Sequence, residues 1–318
     1  MTHSVLLSIV SPVYQAENIV DELVRRIIVE AEKITSDYEI ILVEDGSKDN
    51  SWKKIENNCN KNLKVKGIKL SRNFGQHYAI TAALNYAQGD FVVVMDCDLQ
   101  ENPKYISDLY AKALQGNDIV YTLKKIRKHS FLKNLMAQIY FRIYGYLTDT
   151  KTASPMVGAF SMLNRKVVNA FISVNAYHRH YLLVLGTLGF QTSYVELEHE
   201  KRFAGKSSYN FQKLFKLAID GITSQSDKLL LLSIKTGFLF FIASLTYAII
   251  IVVNYFLIGA LPGYTSLMAM LLLSTGLILI SIGIVGIYIG KVFEQVKNKP
   301  FYIVDKEINI SINKKSRE

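Results

Sequence analysis

The chain has 318 residues, 50% of them hydrophobic, with a mean hydropathy of +0.17 and a formal net charge of +10. That length holds two domains or one large one, and the apolar content is high for a wholly soluble protein. The positive charge suits anionic lipid headgroups or phosphorylated substrates, and two long apolar spans and the lack of a recognisable nucleic-acid-binding motif count against nucleic acid.

The apolar run from Val5 to Pro12 reads as a buried strand stopped by its proline, followed by a helix from about Ile19 to Ile34. Tyr38 to Ser47 is a second strand running into an acidic, small-residue turn, with a helix starting near Asp49 or Ser51. A third strand covers Val65 to Leu70, and the turn Ser71-Arg72-Asn73-Phe74-Gly75 leads to a helix over about Gln76 to Ala87. Gly89 to Gln100 follows, an apolar strand that ends in Asp96-Cys97-Asp98-Leu99-Gln100. A helix from Pro103 to about Leu114 and a strand at Asp118 to Tyr121 keep the rhythm, so an α/β domain with a mostly parallel sheet is expected. In such sheets ligands bind at the carboxyl ends of the strands, where Pro12 to Glu17, Asp45 to Ser47, Arg72 to Gly75 and Asp96 to Gln100 all fall.

The basic run Lys124 to His129 precedes an aromatic, apolar helix expected over 131–147, which suits contact with a membrane interface. A second amphipathic stretch, 209–235, leads into the span between Lys235 and Lys291, which contains no Asp, Glu, Lys or Arg. That span holds two membrane helices of roughly 20 residues each. They are expected at Thr236 to Ile258 and Ser266 to Gly290, joined by the turn Gly259 to Gly263. Lysines flank both outer ends (Lys228, Lys235, Lys291, Lys297 and Lys299), which places both flanks in the cytosol of an inner-membrane protein. Met1-Thr2-His3-Ser4 lacks the pattern of a secretory signal, and two cysteines, Cys59 and Cys97, form no disulfide framework. The expected organisation is a catalytic domain over 1–208, the juxtamembrane segment 209–235, the hairpin 236–290 and a cytoplasmic tail 291–318.

Carboxylates one residue apart at a strand end suit Mg²⁺ or Mn²⁺ bridging the phosphates of a nucleotide diphosphate, and Gln100 adds a neutral oxygen. Gly205-Lys206-Ser207 resembles the end of a P-loop, but Glu200 stands where that motif needs glycine. Taken singly, Asp96 and Asp98 also fit a strand end and helix cap, Tyr14 a core aromatic, Asp45 a turn residue and Arg72 a surface cation.

Five segments in order, Ser11-Pro12-Val13-Tyr14-Gln15-Ala16-Glu17-Asn18, Val43 to Asp49, Leu70 to Gly75, Asp96 to Gln100 and Arg202 to Tyr209, resemble glycosyltransferase family 2. Within that family the chain is similar to the polyprenyl-phosphate sugar transferases, including dolichyl-phosphate mannose synthase and bacterial undecaprenyl-phosphate glucosyltransferases. The resemblance covers nearly the whole chain, hairpin included. It implies a GT-A, Rossmann-like fold and inverting transfer of a sugar from a nucleotide diphosphate sugar, UDP-glucose or a related UDP-sugar, to undecaprenyl phosphate. It implies donor binding by Pro12, Tyr14, Glu17, Asp45 and Arg72, with Asp45 accepting from the base. Asp96 and Asp98 become the catalytic pair and, with Gln100, the metal ligands; Arg127, Arg202, Lys206 and Ser207 handle the acceptor phosphate, and a homo-oligomer is implied. For Arg202 and Lys206, attraction to lipid headgroups is the competing role. His77 and His199 read as polar surface or core residues and not as general bases. Many relatives carry Gly-Asp-Phe-Arg where this chain has Gly158-Ala159-Phe160-Ser161, which leaves the sugar open. The alternatives are a processive polysaccharide synthase, whose Gln-x-x-Arg-Trp motif finds no match because the one tryptophan is Trp52, and a non-catalytic nucleotide-sugar-binding scaffold.

Overall fold

The computed structural model describes residues 6–124, 157–174, 179–197, 228–258, 263–297 and 299–310. The elements of the amino-terminal half are β1 (Leu7–Val13), α1 (Val20–Glu32), β2 (Tyr38–Glu44), α2 (Ser51–Lys61), β3 (Val65–Leu70), α3 (Gln76–Tyr86) and β4 (Phe91–Val94). A 3₁₀ turn (Pro103–Tyr105), α4 (Ile106–Ala113), β5 (Ile119–Lys124), β6 (Val157–Asn164), α5 (Arg165–Ser173), α6 (Tyr181–Thr187) and β7 (Thr192–Leu197) follow. Two long helices, α7 (Lys228–Ile258) and α8 (Tyr264–Val296), precede a last strand, β8 (Val304–Ile308).

Among the described residues eight strands form one sheet in the order β7-β5-β6-β4-β1-β2-β3-β8. The central β3-β2-β1-β4 block is parallel, whereas β6 runs antiparallel to β4 and β8 antiparallel to β3. Every residue of β1 and β2 is buried because helices cover both faces, which makes parallel strands read as unbroken apolar runs. Alternate side chains feed opposite cores: Leu7, Ile9, Ile40 and Leu42 pack on one face, Val10, Ile41 and Val43 on the other. On α1 the buried residues Val20, Leu23, Val24, Ile27 and Ala31 follow the helical period that lays one stripe on the first of these cores.

Pro12 does not end β1, contrary to its expected role; the strand continues to Val13. Backbone groups of successive residues point to alternate neighbours. The Val10 carbonyl accepts from Met95 on the β4 side and the Val13 carbonyl from Asp45 on the β2 side, so the Pro12 nitrogen points to the β4 side. Pairing with β4 stops at Val10–Val94, so the proline removes no ladder donor.

The chain divides into two compact units, and residues 299–310 belong to the one that holds the sheet. The segment expected as a tail is therefore part of the catalytic domain. Gly67 to Leu70 pair with Ile308 to Val304, Lys69 meets Asp305 at 3.6 Å, and the Asn309 amide donates to the carbonyls of Cys59 (2.7 Å) and Val65 (2.9 Å). In the other unit α7 and α8 pack together, and their stretches Leu230–Tyr247 and Leu273–Val296 are long and apolar enough to cross a membrane, with no residue buried. α7 is under way at Lys228, eight residues before the expected span, and α8 continues past Gly290 to Val296. The expected helix over 131–147 and residues 209–227 of the juxtamembrane segment lie outside the described residues.

Candidate active site

After β3 the chain crosses back to place β4 on the other side of β1, so the sheet's topological switch point lies between the carboxyl ends of β1 and β4. Four loops meet there and are hydrogen-bonded to one another. Consecutive backbone N–H groups of the β1–α1 loop donate into the β2–α2 loop: Gln15 to Ser47 Oγ (3.0 Å), Ala16 to Ser51 Oγ (2.9 Å) and Glu17 to Asp49 Oδ2 (3.2 Å). The Glu17 carboxylate returns the contact, accepting from the Asn50 backbone at 2.9 Å and its amide at 3.1 Å. Short polar side chains at 47, 49 and 51 are what let one loop satisfy the backbone donors of another.

Asp45 ties the second loop to the third. Its carboxylate accepts from the Phe74 N–H at 2.7 Å and the Gly75 N–H at 2.9 Å, while its own carbonyl accepts from the Asn73 amide at 3.0 Å. Burial pushes its pKa up to about 6; the two backbone donors pull the other way, and neighbouring Glu44 adds to the rise. Gly46 makes this contact possible. With φ at +65°, it lies so close to the third loop that a Cβ would stand 2.3 Å from the Asn73 nitrogen. Gly75, at φ +104°, supplies the left-handed turn from which α3 starts.

The first residue of α3 closes the circuit. Gln76 Nε2 donates to Asp96 Oδ1 at 2.6 Å, joining the third loop to the end of β4. In the β4 turn Asp98 accepts from the Gln100 N–H at 3.1 Å, and Leu99 is held at φ +56° with 2% exposure. That conformation costs roughly 1–2 kcal/mol in a residue with a Cβ, and packing of the leucine in the first core offsets it. Cys97 turns inward: it packs against the same core, the Tyr14 N–H reaches its sulfur, and burial pushes its thiol up to about 12. Asp96 and Asp98 are both partly exposed. Among the described residues no three His, Cys, Asp or Glu side chains gather as a metal cluster. Two carboxylates with an amide oxygen nearby form a hard-oxygen set suited to a small divalent ion whose remaining positions go to water and substrate phosphates, so the residues fit Mg²⁺ or Mn²⁺.

Residues 8–171 match the family described as Glycosyl transferase family 2. The chain belongs to that family. A glycosyltransferase of Synechocystis sp., sll0501, is 37% identical over 302 residues, spanning 94% of each chain. The undecaprenyl-phosphate 4-deoxy-4-formamido-L-arabinose transferase of Proteus mirabilis is 30% identical over 320 aligned positions, covering 98% of this chain and 97% of that one. Among solved structures, mannosyl-3-phosphoglycerate synthase from Rubrobacter xylanophilus superposes with a TM-score of 0.50 at 15% identity, over 69% of this chain and 72% of that one, a likeness of fold alone. The protein is thus a family 2 glycosyltransferase with a GT-A-like α/β domain.

The family's motifs acquire physical roles here. Tyr14 stands at the rim, 46% exposed, whereas Pro12 is buried within β1 and Glu17 is engaged with Asn50. Arg72 is exposed, its guanidinium 4.6 Å from the Phe74 ring. Arg127, Arg202, Lys206, Ser207 and His199 lie outside the described residues. His77, which directly follows Gln76, turns toward His180 with ring centroids 4.0 Å apart, and its Nδ1 accepts from the Tyr181 N–H at 3.4 Å. Although the residue keeps some surface, protein crowds the ring, and this burial, with His180 adding to it, holds His77 at about 3. It is neutral and in use, so it is a packing residue. Where many relatives carry arginine in the Gly-Asp-Phe-Arg pattern, Ser161 is fully buried and shares a 2.7 Å hydrogen bond with the Tyr181 hydroxyl, itself fully buried. Tyr181 fills the space above the small serine. Gln76 is the site residue that sequence reasoning passed over; its position directly after Ser71–Gly75 is the only signal of it in the chain.

Proposed function

We propose that the protein is a membrane-bound inverting glycosyltransferase that moves a sugar from a UDP-sugar, UDP-glucose or a close relative, to undecaprenyl phosphate or a similar polyprenyl phosphate. The observation that carries the reading is the hydrogen-bonded circuit at the switch point, in which Asp45 and the Asp96–Asp98 turn are parts of one braced surface in a chain that also bears two exposed apolar helices. The full-length similarity to the Proteus mirabilis enzyme, whose name states an undecaprenyl-phosphate acceptor, supports the acceptor class.

In this reading Tyr14 and Asp45 border the nucleoside, and Asp96, Asp98 and Gln100 hold the diphosphate end. Mg²⁺ or Mn²⁺ bound there would neutralise charge on the departing diphosphate. An oxygen of the lipid phosphate attacks the anomeric carbon in line; the new C–O bond forms as the bond to the β-phosphate oxygen breaks, and the nucleoside diphosphate leaves. A phosphomonoester has a second pKa of about 6, so the nucleophile is already ionised at neutral pH and no general base is required. That agrees with His77, in the first turn of α3, being committed to packing. The chain's own contribution is positioning and charge stabilisation. Arg127, Arg202, Lys206 and Ser207 are the groups assigned to the acceptor phosphate.

Chain connectivity supports a hairpin. β7, which precedes α7 in the chain, and β8, which follows α8, lie in one sheet, so any crossings between them must be even in number. The lysines at both outer ends support a cytosolic catalytic domain with both termini on the same side. The test is to incubate purified protein with a panel of nucleotide sugars and undecaprenyl phosphate and to identify the glycolipid by mass. Asp98→Ala should lower turnover by at least 100-fold, about 2.7 kcal/mol of lost stabilisation. Undiminished turnover would sink the proposal.

A further inference from the structure

A second candidate site lies where the returning segment meets the third loop. A cavity of about 280 Å³ is lined by Arg72, Phe74, Tyr78, Lys299, Phe301 and Ile303, and among the described residues no acid lines it. Among the described residues neither Arg72 nor Lys299 has a carboxylate partner. A third cation stands behind the wall. Arg179 is 3% exposed, and its guanidinium lies 4.5 Å from the Phe301 ring. Among the described residues it donates to the backbone carbonyls of Phe171, Ile172 and Val174, and its Nε has no partner there. Buried cations are normally paired, and with no acidic partner among the described residues this one adds to the positive potential.

The cavity is at the small end for an organic ligand and takes a phosphate with a few carbons rather than a whole nucleotide sugar. Its aromatic wall and the exposed Ile303 suit hydrocarbon. Lys299 follows the end of α8 at Val296 by three residues in the chain. We infer that this cavity is an outer docking site for the phosphate headgroup of the polyprenyl acceptor, separate from the transfer position assigned to Arg127, Arg202, Lys206 and Ser207, with the phosphate bound between Arg72 and Lys299 and the first isoprene units against Phe74 and Phe301. The inference rests on the acceptor class proposed above. The third loop that carries Arg72 and Phe74 also carries the N–H groups on Asp45, so the cavity is one loop away from the donor side.

The test uses the full-length protein in phosphatidylcholine nanodiscs and measures retention of radiolabelled undecaprenyl phosphate. Lys299→Gln should raise the lipid dissociation constant roughly tenfold, the effect of one charge-assisted contact, and Lys299→Arg should restore it. Nucleoside diphosphate binding, measured without lipid, should not change in Lys299→Gln. Unlabelled polyprenyl phosphate should displace the label, whereas polyprenol, inorganic phosphate and phosphatidylglycerol should not at equal concentration. Wild-type lipid affinity in folded Lys299→Gln would overturn the inference, as would equal displacement by phosphatidylglycerol or inorganic phosphate, which would mark a general anion site. Lipid binding lost in Lys299→Gln, with no sugar transfer by the wild-type protein, would sustain the site and remove the proposed reaction instead.

Discussion

Replacing Asp45 with asparagine tests the circuit of loops directly. The carboxylate accepts from two consecutive backbone N–H groups, at 2.7 and 2.9 Å, on a residue that is 3% exposed. Asparagine keeps one acceptor oxygen and turns its NH₂ toward the other N–H, so a buried donor faces a donor with no water to rescue it. Losing a bond to a charged group in this way costs about 1.5–3 kcal/mol, roughly 10- to 150-fold in an equilibrium constant. Because Phe74 and Gly75 run directly into Gln76, which holds Asp96 at 2.6 Å, the loss should reach the diphosphate end as well as the nucleoside end. Calorimetry with Mg²⁺ and either the nucleoside diphosphate or inorganic diphosphate separates the two. Both should bind at least tenfold more weakly to Asp45→Asn. A loss confined to the nucleoside diphosphate would restrict Asp45 to contact with the base, and unchanged affinity for both would refute the linkage.

Donor affinity, measured without acceptor, should rise with pH through about 6 as Asp45 ionises, and the step should vanish in Asp45→Asn. Stability should move the opposite way: the folded pKa lies above the ordinary aspartate value of 3.8, so the contribution of Asp45 is fully present below that value and is lost as pH rises through about 6, which thermal melts across that window can read. Gly46→Ala, whose Cβ would stand 2.3 Å from the Asn73 nitrogen, should cost about 1–3 kcal/mol, seen as a lowered thermal midpoint together with weaker donor binding. Glu39 is buried under Ser8 Oγ (2.5 Å), Lys66 Nζ (2.5 Å) and the Gln88 N–H (2.6 Å) at the amino-terminal ends of the central strands, opposite the candidate site. Glu39→Gln should therefore destabilise by about 3–5 kcal/mol in denaturant titration while leaving donor affinity of the folded fraction unchanged, and Glu39→Gln combined with Lys66→Met should recover part of the loss.

The strands that carry the site were legible because both faces of the sheet are covered, which turns β1, β2 and β4 into apolar runs, and because each run stops at a cluster of small or acidic residues. What those clusters do to one another was not legible. Asp45 was assigned to the nucleotide from a resemblance, whereas its burial against the Phe74 and Gly75 N–H groups depends on how two loops approach in space. Gln76 carries no sequence mark of importance, since a polar residue at a helix start is ordinary, and only the neighbouring end of β4 gives it a partner. Pro12 misled for a local reason: a proline usually ends a strand, and here the register puts its nitrogen past the last β4 pair.

β8 escaped for a different reason. Val304-Asp305-Lys306-Glu307-Ile308 is mostly charged, and its partner strand lies more than 230 residues earlier, so neither hydrophobicity nor proximity announces it. Without it β3 would be an open edge of a parallel sheet, a template for pairing with another chain, and charged residues are what such an edge needs on its outside. The same segment bonds the Ser71 N–H to the Ile303 carbonyl at 2.9 Å, at the start of the loop that leads to Asp45 and Asp96. The residues that follow the second apolar helix are therefore part of the frame of the candidate site. A catalytic domain cut off before α7 would lose an edge strand and one support of its third loop together, so in this chain the hairpin and the fold of the active domain are parts of one covalent design.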